Sequence, residues 1–153
     1  MPRRSAWDTG NVFEVALSSA GFAYGMVIEP PLVAFFDRRF AKRPTVEDIL
    51  SCPIAFRIWV MRDCISKKGW PVIGHAPVPD ALSKPPVFYK FDLLSKRFSL
   101  YRDQSEEPAT REQCLDLECA AVWSDVHVVS RLDDHFAGRP NAFVESLSAA
   151  RRL

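Results

Sequence analysis

Lys68-Gly69-Trp70-Pro71-Val72-Ile73-Gly74-His75 pins a large aromatic between a glycine and a proline and runs straight into a β-branched pair. Gly69 permits a turn with positive φ, Pro71 locks its own φ and pushes Trp70 into extended geometry, and Val72 and Ile73 favour a pleated surface. The stretch therefore reads as the start of a strand, with Trp70 placed where a core or a strand end needs bulk.

Toward the N-terminus, β periodicity dominates. Phe13, Val15 and Leu17 alternate with Val12, Glu14 and Ala16, and Phe22, Tyr24, Met26 and Ile28 alternate with Ala23, Gly25 and Val27. The Ser18-Ser19-Ala20-Gly21 link makes these a hairpin. Pro30-Pro31 breaks the second strand, and Leu32 to Asp37 resumes as a third. Thr45-Val46-Glu47-Asp48 opens a short helix with a hydroxyl cap and an acidic first turn, stopped near Pro53. In the strand from Ile54 to Met61, Ile54, Phe56, Ile58 and Val60 share one face while Arg57 and Trp59 share the other.

On the C-terminal side, Pro77 to Pro86 is too rich in proline for regular structure and is expected to be an ordered surface loop. Val87 to Phe91 and Phe98 to Tyr101 flank Asp92-Leu93-Leu94-Ser95-Lys96-Arg97 as a second hairpin, and the polar Asp103 to Ala109 segment reads as an exposed loop. Alternation from Leu115 to Trp123 predicts a final strand. Ser124 then caps a helix, with Trp123 and Val128 placed as a hydrophobic staple, Val129, Leu132 and Phe136 as its buried stripe and Gly138 as its end. Asn141 caps a last helix that buries Phe143 and Leu147. Strands first and helices late point to an α+β fold: a curved, mainly antiparallel β-sheet with C-terminal helices packed on one side, the alternative being an SH3-like half-barrel with the same helices appended.

With 48% hydrophobic residues in 153, the chain suits one domain over residues 1–153, burying roughly two-thirds of its unfolded surface. A net charge of +1 supplies no global field to attract nucleic acid or an anionic membrane, and argues equally against an acidic mimic of nucleic acid. Arg3 and Arg4 are followed by no apolar run of the kind a secretory signal needs, and no segment approaches the ~20 apolar residues of a membrane span, so a cytoplasmic location is expected. Cys52, Cys64, Cys114 and Cys119 are scattered, with no C-x-x-C, and read as reduced core thiols.

The chain contains no G-x-S-x-G, H-E-x-x-H or phosphate-cradling glycine loop. His127 and His135 stand about 12 Å apart along one helix, too far to share a metal, so neither a metal nor a cofactor is expected. Asp116 and Glu118 share a strand face and, with His127 folded back beside them, would make a small hydrolase site. The plainer reading is a solvated edge strand, or Glu118 in an ion pair with Arg57. Trp59, Trp70 and Trp123 invite a nucleic-acid-binding or β-barrel adaptor reading through base stacking. Basic residues interleave poorly with them beyond Arg38-Arg39 and Lys42-Arg43, which favours core packing. His127, Arg131 and His135 recur at i, i+4 and i+8 opposite Val129, Leu132 and Phe136, and so are expected to point outward as a candidate partner-binding stripe.

The Gly69-Trp70-Pro71-Val72-Ile73-Gly74 turn with its proline-rich sequel resembles the immunity protein 26 family of bacterial polymorphic-toxin systems. Gly10 to Leu17, Phe22 to Val27, Pro85 to Tyr89, and Leu117 to Trp123 with His127 and Arg131-Leu132 fall in the order of that family, so the resemblance extends over nearly the whole chain. It implies a cytosolic, monomeric, non-enzymatic immunity protein that binds and inactivates a co-encoded protein toxin. Trp70 and His75, at the ends of the turn, join His127, Arg131 and His135 as candidate contact residues.

Overall fold

A computed structural model describes residues 5–152, so the basic pair Arg3-Arg4 lies outside the described residues. Six strands, β1 (Asn11–Ala16), β2 (Phe22–Glu29), β3 (Leu32–Phe36), β4 (Ile54–Val60), β5 (Val72–His75) and β10 (Val122–Trp123), form a sheet in the order β10-β4-β3-β2-β1-β5. A second sheet runs β8-β7-β6-β9, built from β6 (Phe88–Phe91), β7 (Phe98–Arg102), β8 (Ser105–Ala109) and β9 (Glu118–Cys119). Pairing is antiparallel except where β10 meets β4 and β9 meets β6. The helices are α1 (Val46–Leu50), α2 (Asp80–Ser83), α3 (Arg111–Cys114), α4 (Asp125–Ala137) and α5 (Ala142–Ser146). The fold is α+β, as the order of sequence patterns implies, with the strands divided between two sheets. Among the described residues no helix is long and apolar enough to cross a membrane.

The large sheet is a middle layer. Alternation sends Phe13, Val15, Ala23, Val27, Val33, Phe35, Phe56 and Ile58 to one side, where they pack with Trp70, Trp123, Val128 and Leu132 and with partly buried side chains of α4 and α5. Val12, Tyr24, Met26, Ile28, Leu32, Ala34 and Phe36 face the other side, covered by Ile49 of α1, Leu82 of α2 and Phe88 of the second sheet. Strands apolar on both faces demand two covers, which is why the second sheet folds over the first. Trp70 is 5% exposed and stacks on Phe13, with ring centroids 5.6 Å apart, while meeting Phe35 edge-on. Across the β1–β2 ladder Phe13 pairs with Gly25, and its ring lies where a Cβ at residue 25 would come within 2.3 Å of Cζ. The positive-φ glycines are Gly10, Gly21 and Gly138. Gly69 serves another purpose than the sequence suggests: the Cys64 carbonyl, which accepts the Trp70 N–H at 2.8 Å, lies 2.5 Å from where a Gly69 Cβ would sit.

Several segments depart from the periodic reading. Leu115 to Trp123 is not one strand: after α3, Glu118-Cys119 joins β6 and Val122-Trp123 joins β4, so the partner changes from one sheet to the other at Ala120-Ala121. Alternation persists across such a crossing because each half obeys its own sheet. Residues 103–109 are not a loop, since Asp103 (φ 47°) and Gln104 (φ 68°) make a two-residue hairpin turn into β8, a polar edge strand with little apolar signal. Within residues 77–86 the single turn of α2 seats Leu82 in the core. The inward places belong to Val144 of α5 and to Leu147 just after it, leaving Phe143 37% exposed. Arg57 donates to the Lys84 carbonyl at 2.9 Å, not to Glu118.

Caps fall where the sequence puts them. Thr45 and Ser124 accept N–H groups of their first turns, Gly138 ends α4 in the left-handed region at φ 69°, and Trp123 and Val128 are both buried at the start of α4. Cys52, Cys64, Cys114 and Cys119 are free, and burial pushes the Cys64 thiol up to about 11. Glu14 is buried in the middle layer, where it accepts from Tyr24 Oη at 2.8 Å and from Arg43 Nε at 2.8 Å. The Arg43 hydrogen bond outweighs burial and holds this carboxyl below the usual glutamate range.

Trp123→Ala should lower stability by about 3–5 kcal/mol, read as a reduced urea midpoint, because it empties a large core position. An unchanged midpoint would mean the indole is not packed. Since the folded-state pKa of Glu14 is depressed, its stabilising contribution is complete above its ordinary value near 4.5 and is lost as pH falls through the folded value. Urea midpoints compared at about pH 7 and about pH 3 should therefore differ less in Glu14→Gln than in the parent.

Candidate partner-binding surface

Helix α4 carries the residues on which the sequence reading of a binding face depends, and the structure divides them. Arg131 does not point outward. It is 9% exposed, lies on the buried stripe with Val128 and Leu132, and donates through Nη1 at 3.3 Å and through Nη2 to the two carboxylate oxygens of Glu118 on β9. Its guanidinium sits 3.7 Å over the Phe56 ring and 5.0 Å from that of Trp123. Positions 128, 131, 132 and 135 share a helix face at 3.6 residues per turn, and centring the apolar stripe on Val129 instead of Val128 turns Arg131 outward by error.

His135 is a tie between layers: Nε2 lies 2.6 Å from Asp37 Oδ1 just after β3, and the ring meets Phe56 edge-on. His127 is exposed, and its ring stacks on Phe143 with centroids 3.9 Å apart and planes 26° apart. Trp70 is in the core, which removes it from any surface. His75 is exposed on the edge strand β5, with Nδ1 2.9 Å from Asn11 Oδ1. The Asn11 amide nitrogen donates to the carbonyls of Ser5 and Ala6, so its oxygen faces the imidazole and His75 Nδ1 is the donor.

The three residues of the hydrolase alternative are not assembled. Glu118 is held by Arg131, His127 is stacked on Phe143, and Asp116 is exposed. Of the tryptophans considered for base stacking, Trp70 and Trp123 are buried, and half-buried Trp59 packs against Phe88 and Tyr101 with centroids at 4.8 and 5.6 Å.

What the structure adds around His127 is an apolar surface. Val122 is 54% exposed, Val126 68% and Phe143 37%. A recess of about 190 Å³ beside them is lined by Ala121, Val122, Trp123, His127, Phe143 and Leu147, with Ser146 on its rim. The sequence holds a signal for it: Val126, Val128 and Val129 cannot all lie on one helical face, so burying Val128 leaves Val126 in solvent. Beneath the patch, the Arg131 guanidinium pairs with Glu118 and lies over the Trp123 ring, while the buried Trp123 Nε1–H has no hydrogen-bond partner among the described residues.

Comparison with curated proteins and with solved structures found no match. The family model of immunity protein 26 matches residues 8–100. The match begins just before β1 and ends within β7, so the closing segment from Leu117 through α4 lies outside it. It takes in the Trp70 turn and the five strands that carry the core, more than half of the 153 residues, and the chain accordingly belongs to the immunity protein 26 family.

Proposed function

We propose that this protein is a non-enzymatic immunity protein that acts as a monomer in the cytoplasm, binding a protein toxin encoded beside it and holding the toxin inactive. Membership of the immunity protein 26 family is the observation that carries this reading. The contact surface is the apolar patch of Val122, Val126 and Phe143 with His127 at its centre. His75, on the edge of β5, is a separate and more peripheral contact. An aromatic side chain standing half in water over a rigid base gains most when a partner desolvates it, and the stacked His127 ring adds a hydrogen-bonding edge to the same spot. Arg131 and Trp70 contribute from below, by keeping the surface in place.

Calorimetric titration with the purified toxin domain of the neighbouring gene tests this. His127→Ala combined with Phe143→Ala should weaken binding about ten-fold or more while leaving the melting temperature near that of the parent. A parent chain that fails to bind the toxin overturns the function, and parent-like affinity in the double variant moves the interface off α4 and α5. Arg131→Ala should behave differently. It strands Glu118 beside the core and should cost on the order of 3 kcal/mol of stability, seen as a lower urea midpoint; a parent-like midpoint would return this side chain to the surface.

A further inference from the structure

The β6–β7 hairpin turns through Asp92 to Arg97, and its apex presents two leucines to solvent: Leu93 is 66% exposed and Leu94 96%. Turn apices favour Gly, Asn, Asp, Pro and Ser, whose backbones or side chains suit the reversal, so a leucine pair here brings nothing to the turn itself. Nor is the apex loose. The Asp92 carboxylate accepts the N–H groups of Leu94 at 2.8 Å and Ser95 at 3.0 Å, and Lys96 N–H donates to the Asp92 carbonyl at 2.8 Å with Lys96 at φ 61°. At the base Phe91 and Phe98 pack with centroids 4.8 Å apart, and Lys96 Nζ lies 5.9 Å from the Phe91 ring centre. The backbone that carries the leucines is thus fixed before any partner arrives, which lowers the backbone entropy lost on binding.

Charge distinguishes the kinds of partner that fit. Lys96 and Arg97 follow the leucines after Ser95, and neither forms a salt bridge among the described residues. The Asp92 carboxylate accepts from backbone N–H groups and forms no salt bridge with either cation. The apex is an apolar pair beside two available cations, complementary to an apolar recess rimmed with carboxylates. We propose that the hairpin apex is a second toxin-contact element: Leu93 and Leu94 enter such a recess on the toxin, and Lys96 and Arg97 meet its acidic rim. The inference rests on the reading of the partner as a toxin and adds an anchor separate from the α4 patch.

The test uses the full chain and the toxin domain of the neighbouring gene in calorimetric and kinetic titrations. Leu93→Ser with Leu94→Ser should weaken binding about ten-fold or more with an unchanged melting temperature, since the removed atoms touch solvent and not core. Lys96→Glu with Arg97→Glu should slow association, with the difference shrinking as salt is raised. Parent-like affinity in both double variants overturns the inference and leaves the toxin reading standing, whereas a parent that binds no toxin removes both. Sedimentation of the parent, but not of the serine variant, with phosphatidylglycerol vesicles overturns it in favour of a membrane contact. A parent dimer on size exclusion that the serine variant abolishes overturns it in favour of self-association.

Discussion

β1, β2 and β3 bury both of their faces, and a sheet with no solvated side has to be covered twice. The C-terminal helices supply one cover, and α1, α2 and the second sheet supply the other. The same constraint governs the polar groups caught inside. A carboxylate at Glu14 is tolerable in the middle layer only because Tyr24 and Arg43 bring donors to it, and the Arg131 guanidinium is tolerable beneath α4 only because Glu118 and two aromatic faces receive it.

The short segment from Glu118 to Trp123 joins these layers. Its first half lies parallel to β6 and its second parallel to β4, so one stretch of chain stitches the second sheet to the first, and the Arg131–Glu118 pair binds α4 to the same stitch. Both surfaces proposed for partner contact stand on packed aromatics, Trp123 under the start of α4 and the Phe91–Phe98 pair under the hairpin apex. A contact surface on such a base is rigid before binding, which favours affinity without enlarging the buried area.

Much of the candidate site was legible in part. Ser124 as cap, Gly138 as stop and the Trp123–Val128 staple are local decisions, made by groups within four residues of each other, and they locate α4 correctly. Which way α4 is rolled is not local. Val128 and Val129 are equally apolar and both pack on the core, and the position of Trp123, Phe56 and Glu118 centres the buried stripe on Val128 and draws Arg131 in with it. Phe143 shows the same ambiguity, because a helix of five residues offers several rows that could be buried and the sheet beneath α5 chooses Val144 and Leu147.

By itself the sequence determined the α+β class, the strands up to Ile73, the two hairpins, the caps at Thr45, Ser124 and Asn141 and the strand entry at Trp70, and its turn carried the resemblance to the immunity protein 26 family. These follow from alternation, from the dihedral limits of proline, from turn chemistry and from capping hydrogen bonds, all of which act over a few residues. Only the tertiary structure decided that the strands split into two sheets, that residues 103–109 are an edge strand, that Arg131 is buried against Glu118 and that His127 rests on Phe143. The physical reason is that periodicity records that a face is covered and not what covers it. Glu118 and Arg131 stand on different elements, and the chain reveals that they are partners only when the second sheet folds over the first.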